Sequence, residues 1–189
     1  MKKFTDVKKI VLSEITQVLD SVDPKEVEAF IEAILKAKRV CGYGAGRMGY
    51  GLRAFMMRLN HLGIQASFIN DTFCAPMKKN DLFIVTSGSG ETKSVLQYLE
   101  IAKKHCKTFA ITGNSESTMA KIADGKLVFK SSNGGLNSAD NDKKINSIQP
   151  MTSLNEQSMF VLFDIIAVML IEKLGIKKED EKKFHFNIE

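Results

Sequence analysis

The 189-residue sequence has only three cysteines, and no two of them form a C-x-x-C pair. An odd number cannot close into a complete disulfide framework, so we expect free thiols and a reducing compartment. Cys41 and Cys106 lie in or beside apolar runs, where a thiol packs as a small hydrophobe more often than it reacts. Structural thiols are therefore favoured over a catalytic one.

Histidines are equally scarce. His61, His105 and His185 are far apart in the sequence, and neither an H-x-x-E-H motif nor a cysteine cluster is present. Metal centres of the common kinds need ligands at close, fixed spacings. The sequence therefore predicts no metal site.

Long hydrophobic runs are also missing. Residues 1–14 alternate charged and apolar side chains, whereas a secretory signal needs an uninterrupted apolar stretch. The most apolar segment, 159–171, is broken by Asp164 and is shorter than the roughly 20 residues that a bilayer requires. We expect a cytoplasmic protein, with no membrane partner, in which this segment is a buried helix.

The charge is modest, because 27 basic and 22 acidic residues give a net charge of +5. The basic clusters at 2–9, 103–107 and 177–183 have no interleaved aromatic residues and are typical of a solvated surface. A nucleic-acid partner is therefore not expected. An excess of this size favours a small anionic ligand.

The apolar pattern predicts an α/β fold. Two helices come first, at 4–19 and from Asp23-Pro24 to about Lys38. Short apolar runs then alternate with helical stretches, which is typical of βαβ units. The strands are expected at 39–43, 65–69, 82–86, 108–112 and 127–130, and the helices between them at 48–62, 92–104 and 117–123. We predict a three-layer α/β/α sandwich, of the flavodoxin or Rossmann kind, with a mainly parallel five-stranded sheet.

A chain of this length fits one domain. We divide it into N-terminal helices (1–38), a βα core (39–130), a polar loop (131–147) and a C-terminal helix with its tail (148–189). The helix expected at 153–174 has apolar residues on nearly every face and needs cover all round. The core covers one side, and a second subunit is expected on the other.

Two glycine-rich turns each follow a predicted strand. The first, 44–49, matches G-x-G-x-x-G, and Asp71 lies near the end of the next strand, where a ribose-binding acid belongs. A dinucleotide site is therefore one interpretation. It is weakened because a single domain leaves no room for a dehydrogenase's substrate domain.

The second turn, Ser-Gly-Ser-Gly-Glu-Thr at 87–92, precedes a predicted helix. Its glycines allow close approach of an anion, the hydroxyls of Ser87, Ser89 and Thr92 can donate to phosphate oxygens, and the helix N-terminus adds free amides. The lysine of a Walker loop is absent, so the phosphate need not belong to a nucleotide. The alternative is that these residues only cap the helix.

These turns resemble the sugar isomerase (SIS) domain family. Segments 57–63, 147–156 and 185–189 extend the resemblance, over nearly the whole chain, to the 6-phospho-3-hexuloisomerases. The resemblance implies a tetramer that interconverts 3-hexulose 6-phosphate and fructose 6-phosphate without metal or organic cofactor. It also implies a pathway link, in formaldehyde fixation by the ribulose monophosphate pathway, to 3-hexulose-6-phosphate synthase.

The resemblance also suggests roles for individual residues. Glu156 would move the proton through a cis-enediolate, Arg47 would orient the sugar or stabilise the enediolate, and His61 would polarise a carbonyl or assist ring opening. The residue pattern alone leaves Glu156 equally well explained as an ordinary glutamate near a helix start. The expected substrate-binding residues are Gly46, Ser87, Gly88, Ser89, Thr92 and His185.

The chain departs from the family's motifs at three positions. Met48 replaces a serine, Thr152 a glycine and Asn155 a phenylalanine. Two alternatives therefore stay open: an isomerase for a different sugar phosphate, and a non-catalytic phosphosugar-binding module. Regulators of the latter kind usually carry a helix-turn-helix domain, whereas residues 1–38 hold only about two helices.

Overall fold

A computed structural model describes residues 3–72, 74–130, 145, 147–180, 183 and 185. Two helices open the chain, α1 (Phe4–Asp20) and α2 (Pro24–Lys36). The Asp23 carboxylate accepts a hydrogen bond from the Lys25 amide at 2.9 Å, which caps α2 as predicted. The helix ends at Lys36, slightly before the predicted end near Lys38.

All five predicted strands are present. They form one parallel sheet in the order β2-β1-β3-β4-β5. The strands are β1 (Val40–Gly44), β2 (Ala66–Phe68), β3 (Leu82–Ser87), β4 (Lys107–Thr112) and β5 (Gly125–Val128). The intervening helices are α3 (Gly46–His61), α4 (Lys93–Ala102) and α5 (Thr118–Ile122). The predicted parallel α/β sheet is therefore confirmed.

Helices cover both faces of the sheet. One face packs against α2, α3 and the last long helix, α6 (Ser153–Leu174), with α1 lying on α6. The other face packs against α4 and α5. The central strand β3 is buried at every position, which explains its run of apolar residues. The fold is the predicted three-layer sandwich.

The strand order places a crevice at one edge of the sheet. β1 and β3 are neighbours, paired from Val40 with Leu82 to Gly44 with Thr86. From this pair the chain continues outward in opposite directions, to β2 on one side and to β4 and β5 on the other. In open α/β sheets, ligands bind beyond the carboxyl ends of the strands at such a switch point.

Helix α6 has the predicted bounds, and it ends at Gly175, whose φ of 64° is the left-handed conformation that often terminates helices. Its inner side packs on α3, where Phe55 and Phe163 stack with ring centroids 4.3 Å apart. Among the described residues, α6 is the one helix long and apolar enough to cross a membrane, but half of it is buried. A core helix meets the same criteria, so this is weak evidence for a membrane span.

Two parts of the prediction cannot be compared with the structure. The polar loop predicted at 131–147 lies outside the described residues, apart from Ile145 and Ser147. The same holds for residues 186–189 of the tail, which follows a short 3₁₀ helix (Lys178–Asp180). The division into one domain stays a prediction.

Candidate active site

A cavity of about 300 Å³ lies at the carboxyl ends of β1 and β3. Its lining comes from three segments that are distant in the sequence, at 45–48, 86–92 and 152–156. The first is the turn into α3, the second is the turn into α4, and the third is the start of α6. Both glycine-rich turns noted in the sequence therefore face one cavity.

The first turn is glycine-rich because α3 lies directly on the end of β1. A Cβ atom added at Gly49 would lie only 2.1 Å from the Gly44 carbonyl oxygen, so a side chain there would push the helix away. Asp71, the candidate ribose ligand, forms an ion pair with Arg53 at 2.9 Å and accepts a hydrogen bond from the Phe68 amide. Packing therefore explains the motif without a dinucleotide.

The second turn is held by its own hydroxyls. Ser87 Oγ accepts a hydrogen bond from the Gly90 amide at 3.1 Å, and Ser89 Oγ accepts one from the Glu91 amide at 3.2 Å. Gly90 has a φ of 69°, and a Cβ there would meet Ser117 Oγ at 2.2 Å, so only glycine fits. Contacts within the protein therefore hold the conformation of the turn.

Thr92 precedes α4 but does not cap it with its side chain. Its hydroxyl instead hydrogen-bonds Ser87 Oγ at 2.8 Å. The first amides of a helix have no partner within the helix and carry partial positive charge, and α4 begins directly after Thr92, a residue of the cavity lining. This arrangement suits an anion.

Glu156 brings a carboxylate to the same cavity. Its side chain is 10% exposed, and one oxygen accepts a hydrogen bond from the Nε of Arg47, whose own side chain is 66% exposed. The other oxygen accepts a bond from the Thr152 hydroxyl at 2.7 Å. The carboxylate is therefore held by one exposed cation and by the hydroxyl of the residue that precedes α6.

Asn155 and Thr152 line the cavity, although the sequence singled them out only as departures from the family's motifs. Asn155 is fully buried, and a Cβ on Gly88 would lie 2.7 Å from its Nδ2, so the amide packs against the second turn. Thr86 is a third lining residue that sequence reasoning missed, because it sits inside a buried strand. Asn155 could have been noticed in the sequence as a polar residue near the start of the apolar helix α6.

The two predicted histidines lie together but elsewhere. The rings of His61 and His185 have centroids 4.9 Å apart. His61 is at the end of α3, fourteen residues from Arg47, which corresponds to about 21 Å along a helix. In the part of the chain that the structure describes, neither histidine lines the cavity. Within one subunit, the structure brings together Arg47, Glu156 and the second turn, without the histidines.

The three cysteines are free thiols. Burial raises the pKa of the Cys106 thiol to about 11 and also raises the pKa of Cys41. Both are therefore protonated at neutral pH, which suits packing and not nucleophilic attack. Among the described residues, no group of three His, Cys, Asp or Glu side chains could hold a metal ion.

The sheet order and the hydroxyl-rich turn at its switch point define a flavodoxin-like α/β protein with a hydroxyl-lined cavity. The SIS domain family matches residues 33–159, and the chain belongs to that family.

Similar proteins cover nearly the whole chain. It is 32% identical over 188 residues to a 3-hexulose-6-phosphate isomerase of Bacillus subtilis, covering 99% of this chain and all of that protein. A 3-hexulose-6-phosphate isomerase of Mycobacterium gastri is also 32% identical, over 95% of this chain and 88% of its own. A crystal structure from Methanococcus jannaschii, described as inferring the function of 3-hexulose-6-phosphate isomerase, has a TM-score of 0.80. It is 27% identical, covering 96% of this chain and 98% of its own.

Proposed function

We propose that this protein is a phosphosugar isomerase that interconverts 3-hexulose 6-phosphate and fructose 6-phosphate. The observation that carries the proposal is that Glu156, fixed by hydrogen bonds, shares one cavity with the hydroxyl-rich turn at 87–92. A phosphate site and a proton-transfer group are the two parts that such an isomerase needs. Relatives named for this activity cover the chain almost from end to end.

The substrate's phosphate would bind at the second turn. Ser87, Ser89 and Thr92 line the cavity, and their hydroxyls, together with the first amides of α4, which begins after Thr92, can donate several hydrogen bonds to one phosphate. Gly88 lets the backbone approach closely. The site binds the phosphate without a lysine, so affinity comes from oriented donors and the helix dipole.

Glu156 would carry the proton between the two carbons. It removes the proton from C2 of the 3-ketose, the C2–C3 enediolate forms, and the same carboxylic acid returns a proton to C3 to give the 2-ketose. A hydroxyl proton moves from O2 to O3, so the reaction balances without any redox partner. The Glu156 side chain is only 10% exposed, so its carboxylate is shielded from water.

Arg47 would change partner during the reaction. The structure pairs it with Glu156, so the guanidinium engages one oxygen of that carboxylate. A sugar entering the cavity offers hydroxyl and carbonyl oxygens that the exposed guanidinium can bind instead. Arg47 would then stabilise the negative charge that develops on the enediolate oxygen. Gly46, at φ 56°, gives the turn that places Arg47 there.

Two alternatives rest on particular observations. Both oxygens of Glu156 are already engaged, which also fits a phosphosugar-binding module that does no chemistry. Three residues that depart from the family's motifs, Met48, Thr152 and Asn155, line the cavity, which fits an isomerase for a different sugar phosphate.

One exchange experiment separates these possibilities. The pure protein is incubated with fructose 6-phosphate in deuterated water without added metal, and the C3 proton is followed by NMR. An isomerase exchanges this proton, whereas a binding module does not. If fructose 6-phosphate binds without exchange, a panel of other sugar phosphates tests the second alternative, and absence of exchange with all of them rejects isomerase activity.

We also propose a cytoplasmic homo-oligomer, a tetramer by analogy with the family, that acts next to 3-hexulose-6-phosphate synthase. The oligomer is supported by the outer face of α6, where Phe160, Val161, Ile165 and Val168 are exposed. Such an apolar patch is costly in water. We propose no cofactor, and we propose that His61 and His185 act at a site completed by a second subunit.

A further inference from the structure

Glu14 is a buried carboxylate that is not part of the cavity lining. It lies on α1, is 4% exposed, and accepts hydrogen bonds from three donors of one short segment. These donors are the Ser147 hydroxyl at 2.7 Å, the Ile148 amide at 2.9 Å and the Gln149 side-chain amide at 2.9 Å. Ser147 Oγ also accepts a bond from the Gln149 backbone amide, so the segment is closed on itself.

The segment held by Glu14 leads directly into the cavity. Residues 150–152 form the turn before α6, with the Ser153 amide bonded to the Pro150 carbonyl at 3.1 Å. Met151 has a φ of 52°, a conformation that costs a non-glycine residue energy and persists only where surrounding contacts impose it. The next residues, Thr152, Asn155 and Glu156, line the cavity.

We infer that Glu14 is a positioning residue, which fixes the turn at 147–152 and through it the placement of Glu156 in the cavity. The inference rests on the proposed function. A carboxylate suits this place because it offers two acceptor oxygens to three donors and presents no proton of its own. An amide would turn a donor toward the hydroxyl or the amide of the segment, and one donor would lose its partner.

The consequence is a separation between binding and turnover. The turn at 87–92 lies between β3 and α4 and is held by its own hydrogen bonds, whereas Glu156 follows the turn at 150–152 that the segment leads into. A small displacement of a proton-transfer group lowers the rate by about 10–100-fold. Loss of the Glu14 contacts should therefore lower kcat and leave phosphate-driven affinity nearly intact.

The test compares Glu14→Gln with Asp6→Asn, an acid-to-amide change at an exposed position of the same helix. We measure kcat and KM for the isomerisation, and affinity for glucitol 6-phosphate, a polyol phosphate without a carbonyl. Glu14→Gln should lower kcat at least about 10-fold and change that affinity less than about threefold. Asp6→Asn should match the wild type in both.

Exchanging the residues at positions 14 and 149 tests whether the lost kcat can be rescued. Gln149→Glu places two carboxylates together, whereas Glu14→Gln with Gln149→Glu restores one carboxylate and one amide in contact. The double variant restores the contact between positions 14 and 149 but not both acceptors for the Ser147 hydroxyl and the Ile148 amide, so it should regain part of the lost kcat. Hydrogen exchange should show faster exchange of the Ile148 amide and of the first turn of α6 in Glu14→Gln, with no change at 82–92.

The outcomes distinguish the two proposals. A wild type that turns over and a Glu14→Gln variant with near wild-type kcat would overturn the positioning role alone. The role is also overturned if kcat, affinity and Tm fall together and the double variant rescues none of them. A wild type without turnover contradicts the proposed function, and unchanged exchange at 147–156 would then overturn the positioning role separately.

Discussion

At the scale of single residues, the pair of Arg47 and Glu156 is the feature that most limits the chemistry. One oxygen of the carboxylate is engaged by the guanidinium, so a sugar that binds Arg47 must compete for it with Glu156. The pair joins a well-shielded acid to a mostly exposed cation, so the cation is the partner that can move. Substrate binding and activation of the base are therefore one event in the proposed mechanism.

Glu156→Gln keeps the size of the side chain and removes its basicity. We expect turnover to fall by at least roughly 100-fold, the usual scale for loss of a general base, while glucitol 6-phosphate still binds because the turn at 87–92 is unchanged. Exchange of the substrate's C3 proton in deuterated water measures the loss. Glu172→Gln, an exposed acid at the far end of α6, is the matched control. Exchange at near wild-type rate in Glu156→Gln would place the base elsewhere.

Asp81 makes a second prediction at this scale, about stability. Burial alone raises the pKa of its carboxyl, but hydrogen bonds from the Arg39 guanidinium and the Lys78 amide outweigh burial and lower the pKa below its ordinary value. Because the folded-state pKa is lowered, the carboxylate stabilises the fold above the unfolded pKa of about 4. That contribution is lost as the pH falls through the folded-state pKa.

Asp81→Asn should therefore lower the Tm at pH 7 and have a smaller effect near pH 2, because acid moves the wild-type carboxylate toward its protonated form. Thermal unfolding followed by circular dichroism at both pH values measures the difference. Asp6→Asn, at an exposed position of α1, should show no such dependence. An equal loss of Tm at both pH values would show that Asp81 stabilises the fold through its packing and not through its charge.

At the scale of elements, the sequence predicted the fold well because its signals are local. Asp23-Pro24 begins α2, the apolar run of β3 marks a strand buried on both faces, and α6 has the predicted bounds. The strand order could not be read from periodicity, because it depends on pairing between distant segments. The site was predicted in part, because the turn at 87–92 and Glu156 line one cavity. The packing of Asn155 against Gly88 could not be predicted, because it joins two segments that are distant in the sequence.

The turn at 87–92 gives a prediction for an element. Ser89→Ala with Thr92→Ala removes two hydroxyls of residues that line the cavity. We expect affinity for fructose 6-phosphate to fall at least about 100-fold, since each lost hydrogen bond to a charged group contributes about 1.5–3 kcal/mol. Isothermal titration calorimetry with fructose 6-phosphate measures this affinity. Ser115→Ala, in the exposed loop after β4, is the control. Unchanged affinity in the double variant would place the phosphate elsewhere.

At the scale of the whole molecule, two features of a single chain are explained by contact with a second copy. The outer face of α6 is apolar and exposed, with Val168 at 66%. The pair of His61 and His185 lies about 21 Å along α3 from the turn that carries Arg47. A second copy that covers the apolar face could also bring its histidines to the first copy's cavity. Oligomerisation and a complete site are then consequences of the same contact.

This arrangement predicts complementation between inactive variants. Glu156→Gln chains retain the histidines and His61→Ala chains retain the base, so each alone should be nearly inactive. Coexpressed chains that form mixed dimers contain one complete site per mixed pair, which for random pairing gives about a quarter of wild-type activity. Light scattering on the wild type must first show a species larger than the 21.0 kDa monomer. A monomer at micromolar concentration rejects the oligomer. Activity no greater than the sum of the separate variants would show that His61 does not act across a subunit contact.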